Sequence, residues 1–204
     1  MSDFWNQKFS SADYFYGDQP NDFLRSQIFR LKPGARVLVV GDGEGRNGVW
    51  LAEQGFKVTS IDYSSVGCEK SRKLAAQRGV SLTTECADLL SWAWPVAEFD
   101  AVVSIFLHFL PDDRLLIHRA IEAALAPEGW LVIELFHPKQ LGYSSGGPKN
   151  RDMLLSPDEL EADFPALDWW LITEGCTRLT EGRGHAGMGY ISHAVGQKPA
   201  QAER

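Results

Sequence analysis

The sequence predicts an α/β fold built on a single Rossmann-like, seven-stranded, mostly parallel sheet, and three observations predict it. Short apolar runs alternate with helix-length runs between residues 36 and 134, the pattern of parallel strands joined by right-handed helical crossovers. A glycine-rich turn, Gly41-Asp42-Gly43-Glu44-Gly45-Arg46-Asn47, stands at the first strand-to-helix junction. Two late strand-like runs have no helical run between them, which predicts a C-terminal antiparallel hairpin on the far edge of the sheet. Helices are expected on both faces.

In chain order, Phe23, Leu24, Ile28 and Leu31 have helical spacing within Asn21 to Leu31. Arg36 to Val40 reads as a strand buried on both faces, because all but its first residue are apolar. Gly48 to Gln54, stopped by Gly55, reads as a helix, and Lys57 to Ile61 as a second strand. Ser65 to Arg78 is a second crossover helix ending at Gly79, and Val80 to Thr84 a third strand. Asp100 to Ile105 is a fourth, followed by a helix from about Asp112 to Ala124. Pro127-Glu128-Gly129 turns the chain into a fifth strand, Trp130 to Glu134. Ser156-Pro157-Asp158-Glu159 opens a short helix with a serine cap, a proline in the first turn and a glutamate three residues on. Trp169 to Thr180 and Gly187 to Gly196 form the hairpin. Residues 1–198 are expected to be one domain, with 1–31 as a leading cap segment and helix and 199–204 as a disordered tail.

With 204 residues, 44% hydrophobic and 23% charged, the chain has enough apolar material for one well-buried core. A net charge of −7 and the lack of clustered Lys and Arg argue against a nucleic-acid partner, whose phosphates need such clusters. The first residues have no signal-peptide pattern, and no apolar run approaches membrane-spanning length. Cys68, Cys86 and Cys176 have neither metal nor redox spacing, as expected in a reducing cytoplasm. Cys68 and Cys86 read as small packing residues. The tryptophans Trp92, Trp94, Trp169 and Trp170 read as core and edge packing.

The glycine turn admits two cofactor classes. Gly43 to Gly48 fits the dinucleotide pattern G-x-G-x-x-G, and Asp62 ends the second strand 19 residues after Gly43, near the position of a ribose-binding acid. The competing reading of Asp62 is a helix cap. S-adenosylmethionine is favoured by the little chain left for a separate catalytic domain. Ala87-Asp88-Leu89 after the third strand also favours it, as a place to meet an adenine amino group, as does the closing helix–hairpin pattern.

On these residues the chain resembles class I S-adenosylmethionine-dependent methyltransferases over nearly its whole length. Gly41, Gly43 and Gly45 match the family's first motif, and Asp62 its acid after the second strand. Asp88 matches its acidic loop, Phe99-Asp100 its fourth-strand opening, and Leu125 to Gly129 its turn before the fifth strand, with Glu128 in place of a glycine. Gly45-Arg46-Asn47 and His185 are similar to the tellurite-resistance subgroup of small-molecule methyltransferases. One departure is Val39, where the family has an acid; Asp42 is the candidate to supply that charge.

The resemblance implies methyl transfer to a small-molecule acceptor, with soft or anionic nucleophiles among those it admits. Gly41, Asp42, Gly43, Gly45, Arg46 and Asn47 would meet the methionine part of the cofactor, Asp62 with Tyr63 the ribose, and Ala87, Asp88 and Leu89 the adenine. Ser104, Ile105 and Phe106 would line the methyl face. His108 and His185 are the candidate catalytic residues, ahead of His137, because imidazole takes a proton near neutral pH. Tyr14, Tyr16 and Asn21 read either as a cap on the cofactor or as packing of the leading segment onto the domain, and Tyr143 to Pro148 reads as a flexible loop able to act as a lid. No metal is expected. The alternatives are a nicotinamide-dependent reductase, which the Gly43 to Gly48 spacing permits, and a non-catalytic S-adenosylmethionine sensor, which Val39 permits.

Overall fold

The computed structural model describes residues 2–200. In chain order the elements are α1 (Ser2–Lys8), α2 (Asp22–Gln27), β1 (Arg36–Val40), α3 (Arg46–Glu53), β2 (Lys57–Asp62), α4 (Ser65–Arg78), β3 (Thr83–Cys86), β4 (Phe99–Ile105), α5 (Pro111–Ala124), β5 (Leu125–Phe136), α6 (Pro157–Asp163), β6 (Asp168–Glu181) and β7 (His185–Gln197). The seven strands form one sheet in the order β3-β2-β1-β4-β5-β7-β6. Strands β1 to β5 run parallel, and β7 enters antiparallel between β5 and β6. The expected class and the hairpin are both present.

The central strands are buried on both faces, as their unbroken apolar runs require. Val37 to Val40 and Ala101 to Val103 are closed to solvent. On one face Phe23 and Leu24 of α2 and Leu51 of α3 pack on Val37, Val39, Val103 and Val132. On the other, Ile117 and Ile121 of α5 and Leu160 of α6 cover Leu38, Val102, Leu131 and Ile133. α6 begins with the anticipated capping box, Ser156 and Glu159 satisfying each other's backbone N–H groups.

The differences from the sequence reading are local. β3 starts at Thr83 rather than Val80, in register with β2 from Thr59. The helix after the glycine turn begins at Arg46, two residues earlier than its apolar spacing suggests. β5 extends to Leu125 and Phe136, and the Pro127-Glu128-Gly129 turn lies inside it as a bulge. Glu128 adopts φ +62 there, the register against β4 shifts, and Glu128 N–H donates to the Lys198 carbonyl at 3.0 Å. The long expected α2 is shorter and closes in a 3-10 turn at Ile28–Arg30. Of the tail expected to be disordered, residues 201–204 lie outside the described residues.

The unanticipated element is α1, whose role is tertiary. Its Asn6 amide oxygen accepts from Ser64 Oγ at 2.7 Å at the start of α4, and buried Phe9 follows it. The segment from Phe9 to Phe15 is then fixed by a buried ion pair between Lys70 and Glu44. The same ammonium donates to the carbonyls of Ser11 at 2.9 Å and Asp13 at 2.8 Å, and Glu44 accepts from Phe15 N–H at 2.6 Å. The glycine turn is therefore tied from above to the leading segment. Removing one partner of a buried pair leaves the other charge uncompensated. Lys70→Met is expected to lower unfolding free energy by about 3–5 kcal/mol, read by urea denaturation. A loss within the range of ordinary surface substitutions would mean that the pair does not fasten the segment.

Candidate functional site

The glycine turn leaves the carboxyl end of β1 and enters α3 with three left-handed residues, Gly41 (φ +66), Gly43 (φ +59) and Gly45 (φ +91). Gly45 is constrained twice over. Its φ disfavours L side chains, and a Cβ there would lie 2.7 Å from the Ser71 backbone of α4. Gly41 N–H donates to the Ile61 carbonyl at 2.8 Å, so the turn hangs from the end of β2.

Asp42 faces inward. Its carboxylate accepts from Gly48 N–H at 3.2 Å and Ser60 Oγ at 2.8 Å, and burial pushes its carboxyl up to about 7. Asp42, the candidate for the charge absent at Val39, braces the turn from below, and Val39 itself is core. Asp62 sits at the tip of β2, where Oδ2 accepts from Gly43 N–H at 2.7 Å and Oδ1 from Ser64 N–H at 2.8 Å. Burial raises its carboxyl, against those donors. The N-cap of α4 is Ser64, whose Oγ accepts from Gly67 N–H at 3.0 Å, and the two bonds of Asp62 position its carboxylate beside the turn. Tyr63 next to it is exposed.

Beyond β3, Ala87 N–H donates to the Asp62 carbonyl at 3.0 Å. Asp88 Oδ1 accepts from Leu90 N–H at 3.0 Å, shaping the following turn, and Leu89 is buried in the core. At the end of β4, Ser104 and Ile105 are buried, while Phe106 turns out of the strand at φ +54. A left-handed aromatic residue is strained, and such strain persists only where its surroundings enforce it. Here Phe106 N–H donates to the Glu134 carbonyl at 2.8 Å, and its ring meets His185 at 4.4 Å and Phe136 at 4.6 Å between centroids.

The three histidines have different surroundings. His185 is buried; Tyr16, Phe106 and Phe136 surround its ring at 4.5, 4.4 and 5.2 Å. Its Nδ1 bonds to Glu181 Oε2 at 2.9 Å. Burial would raise Glu181, but the His185 hydrogen bond and the Arg46 guanidinium, 2.9 Å away, hold its carboxyl down to about 2. Burial lowers His185 itself. The pair is therefore a carboxylate accepting from a neutral imidazole, with Nε2 as the basic nitrogen. Gly146 and Gly147 of the expected lid pack against His185 and Phe136, and Gln140 Nε2 donates to the Gly146 carbonyl at 3.0 Å. The loop covers the ring.

His108, the other candidate catalytic histidine, is contacted at both ring nitrogens. Its Nδ1 bonds to the Met153 carbonyl at 2.9 Å, and its Nε2 faces Phe136 N–H at 3.5 Å. Burial pushes it down to about 4, so it is a neutral strut. His137 likewise accepts from Lys139 N–H at Nδ1 and meets Glu174 at Nε2.

Sequence reasoning missed Glu181 and Glu134. Asn21 joins them: its Nδ2 donates to Glu134 Oε1 and to Glu181 Oε1, each at 2.8 Å, across 160 residues of chain in the second case. Its backbone N–H donates to Asn47 Oδ1 at 2.9 Å. Glu134 in turn meets His193 at 2.6 Å, beside a cavity of about 270 Å³. No local pattern announces residues whose partners lie on other elements. A second cavity, about 500 Å³, lies at the opposite edge of the strands by Arg36 and Lys57, away from the edge where open parallel sheets bind ligands.

The sheet order, the glycine turn and the carboxylate at the tip of β2 give the chain the fold of solved S-adenosylmethionine-dependent methyltransferases. Residues 37–129 match the family model described as methyltransferase domain. The chain is 33% identical over 117 residues to a protein-L-isoaspartate O-methyltransferase of Methylorubrum extorquens, covering 56% of this chain and 48% of the relative. It is 31% identical over 122 residues to a probable thiol methyltransferase 2 of Arabidopsis thaliana, covering 57% and 51%. The chain thus spans about half the length of the curated relatives it matches. The fold superposes on TehB from Haemophilus influenzae with a TM-score of 0.71 at 17% identity, over 97% of this chain and 66% of that one. No helix among the described residues is long and apolar enough to cross a membrane.

Asp42 generates a prediction of pH dependence. Its native value near 7 lies above the ordinary 3.8, so the folded state holds more protons than the unfolded between those values. Stability therefore falls as pH rises through that window. Asp42→Asn removes the titration, so the parent is expected to lose melting temperature relative to D42N between pH 4 and pH 7. Parallel profiles for the two proteins would show that the buried carboxyl does not titrate there.

Proposed function

We propose that the chain is an enzyme that transfers the methyl group of S-adenosylmethionine to a small-molecule acceptor, a soft nucleophile of the thiol or anionic class. The observation that carries this reading is His185, a neutral imidazole fixed through Nδ1 by Glu181 and enclosed by Tyr16, Phe106 and Phe136 beside the glycine turn. The residues suit the cofactor: the turn is free of side chains at Gly41, Gly43 and Gly45, and the Asp62 carboxylate stands 2.7 Å from Gly43 N. When bound, S-adenosylmethionine supplies a methyl carbon already activated by its sulfonium. The turn with Arg46 and Asn47 receives the methionine part, Asp62 with Tyr63 the ribose, and Ala87, Asp88 and Leu89 the adenine. Ser104, Ile105 and Phe106 bound the methyl face.

The protein's work is then alignment, exclusion of water and disposal of one proton. An acceptor thiol loses its proton to His185 Nε2, and the imidazolium formed is stabilised by Glu181, already ionised through Arg46. The apolar rings exclude water and suit a polarisable acceptor. The curated thiol methyltransferase relative agrees with that class. Residues 1–198 act as one domain, in a cytoplasmic setting consistent with three free cysteines. The net charge of −7 disfavours nucleic acid as acceptor. The nicotinamide-dependent alternative gains nothing from the methyltransferase-domain match, and a sensor has no use for a preorganised base.

S-adenosylhomocysteine is expected to raise the melting temperature, because it binds only the folded protein, while NAD and NADP leave it unchanged. Stabilisation by a dinucleotide alone would end the methyltransferase reading. Asp62→Ala is expected to weaken S-adenosylhomocysteine by about 1.5–3 kcal/mol, the range for hydrogen bonds to a charged group, measured by calorimetry. His185→Ala is expected to lower thiol methylation by about 10²–10⁴-fold with that affinity nearly unchanged. Because burial lowers His185, the parent's acid limb should fall below pH 6.5. Parental turnover in His185→Ala would remove the base from the mechanism.

A further inference from the structure

β6 is the outermost strand of the sheet, paired on one side only, with β7. It is 14 residues long and contains neither proline nor lysine. Natural sheets blunt such edges with short strands, prolines, lysines or bulges, because the free N–H and C=O groups template pairing with another chain. Here a single register shift falls between Trp169 and Leu171, and the strand runs regular from there to Glu181. Thr173, Glu174, Cys176, Arg178 and Thr180 along that stretch are exposed.

We propose that this edge pairs antiparallel with the same edge of a second copy, joining two sheets about a two-fold axis at Cys176. A two-fold axis perpendicular to the sheet preserves its faces, and side chains alternate between faces, so the axis must pass through a residue. Among such registers in which the residue facing Arg178 also lies on the regular stretch, only the one centred on Cys176 sets the strand's single cation, Arg178, opposite an acid, Glu174 of the second copy. Symmetry makes that pair twice. Centring on Gly175 sets Arg178 against Ile172, on Thr177 against Cys176, and on Arg178 against itself; centring on Thr173 sets it against Asp168, beyond the register shift. Glu174 is held by Lys139 and His137, whereas Arg178 has no carboxylate partner in its own chain among the described residues. The second copy gives Arg178 one, and the paired strand is the one whose last residue, Glu181, holds His185.

Sedimentation velocity over a concentration series tests the interface, with chemical cross-linking to test the register. Cys176 faces its own copy with Cβ atoms about 4.5–5.5 Å apart, so a short bismaleimide is expected to link dimers of a Cys86→Ser variant, which keeps Cys176 as its only exposed thiol. Adding Cys176→Ser should abolish the link. Arg178→Glu replaces two attractions with two repulsions and is expected to raise the dimer dissociation constant about tenfold or more. Combining it with Glu174→Arg should return most of that loss. A monomer throughout the series overturns the proposal. So does a dimer that is indifferent to both charge variants and gives no Cys176 link.

Discussion

The buried Glu181 carboxylate is the point on which the site's geometry depends. It is ionised because Arg46 lies 2.9 Å away and Asn21 and His185 share its oxygens. Those three partners come from the start of α3, the cap of α2 and the start of β7. One charge therefore locks the glycine-turn helix, the leading segment and the C-terminal hairpin into a single arrangement. A carboxylate in such surroundings is tolerable only with several donors, and each donor loses its own compensation if the carboxylate is displaced. The imidazole of His185 inherits its tautomer and orientation from that constraint, as a histidine held by a carboxylate generally does.

The glycine turn is constrained from two sides by the same logic. Below it, Asp42 grips Gly48 N–H and Ser60 Oγ; at its side, Asp62 grips Gly43 N–H. Two carboxylates thus hold backbone donors that an apolar interior would otherwise leave unpaired. Above it, the Lys70–Glu44 pair fastens the chain from Phe9 to Phe15. The rigidity of the turn arises from these charge-assisted contacts, since the glycines themselves favour no single conformation.

Strain marks the same place. Phe106 adopts a left-handed backbone at the carboxyl end of β4, where the turn must present an aromatic face to His185 and still donate to Glu134. The glycines of the covering loop, pressed against His185 and Phe136, complete an apolar enclosure. The enclosure and the imidazole within it are thus built from β4, β5, β7 and the leading segment, so the arrangement forms only when the whole sheet has formed.

The sequence by itself determined the sheet, the parallel direction of its first strands, the closing hairpin, and the glycine turn with Asp62 at the next strand tip. Each of these is written in local signals: unbroken apolar strands, glycines at left-handed positions, and caps such as Ser156 with Glu159. Tertiary structure alone decided which polar residues matter. His108 and His185 look alike in the sequence, yet Met153 and Phe136 engage both nitrogens of the first, while Glu181 engages Nδ1 of the second. Asp42 looks like a ligand-facing acid and is turned inward by Ser60 and Gly48. Neither α1 nor the Glu134–Asn21–Glu181 bridge has a local signature. Burial and hydrogen bonding fix a titratable side chain's role, and both depend on partners that are distant in the chain and adjacent only after folding.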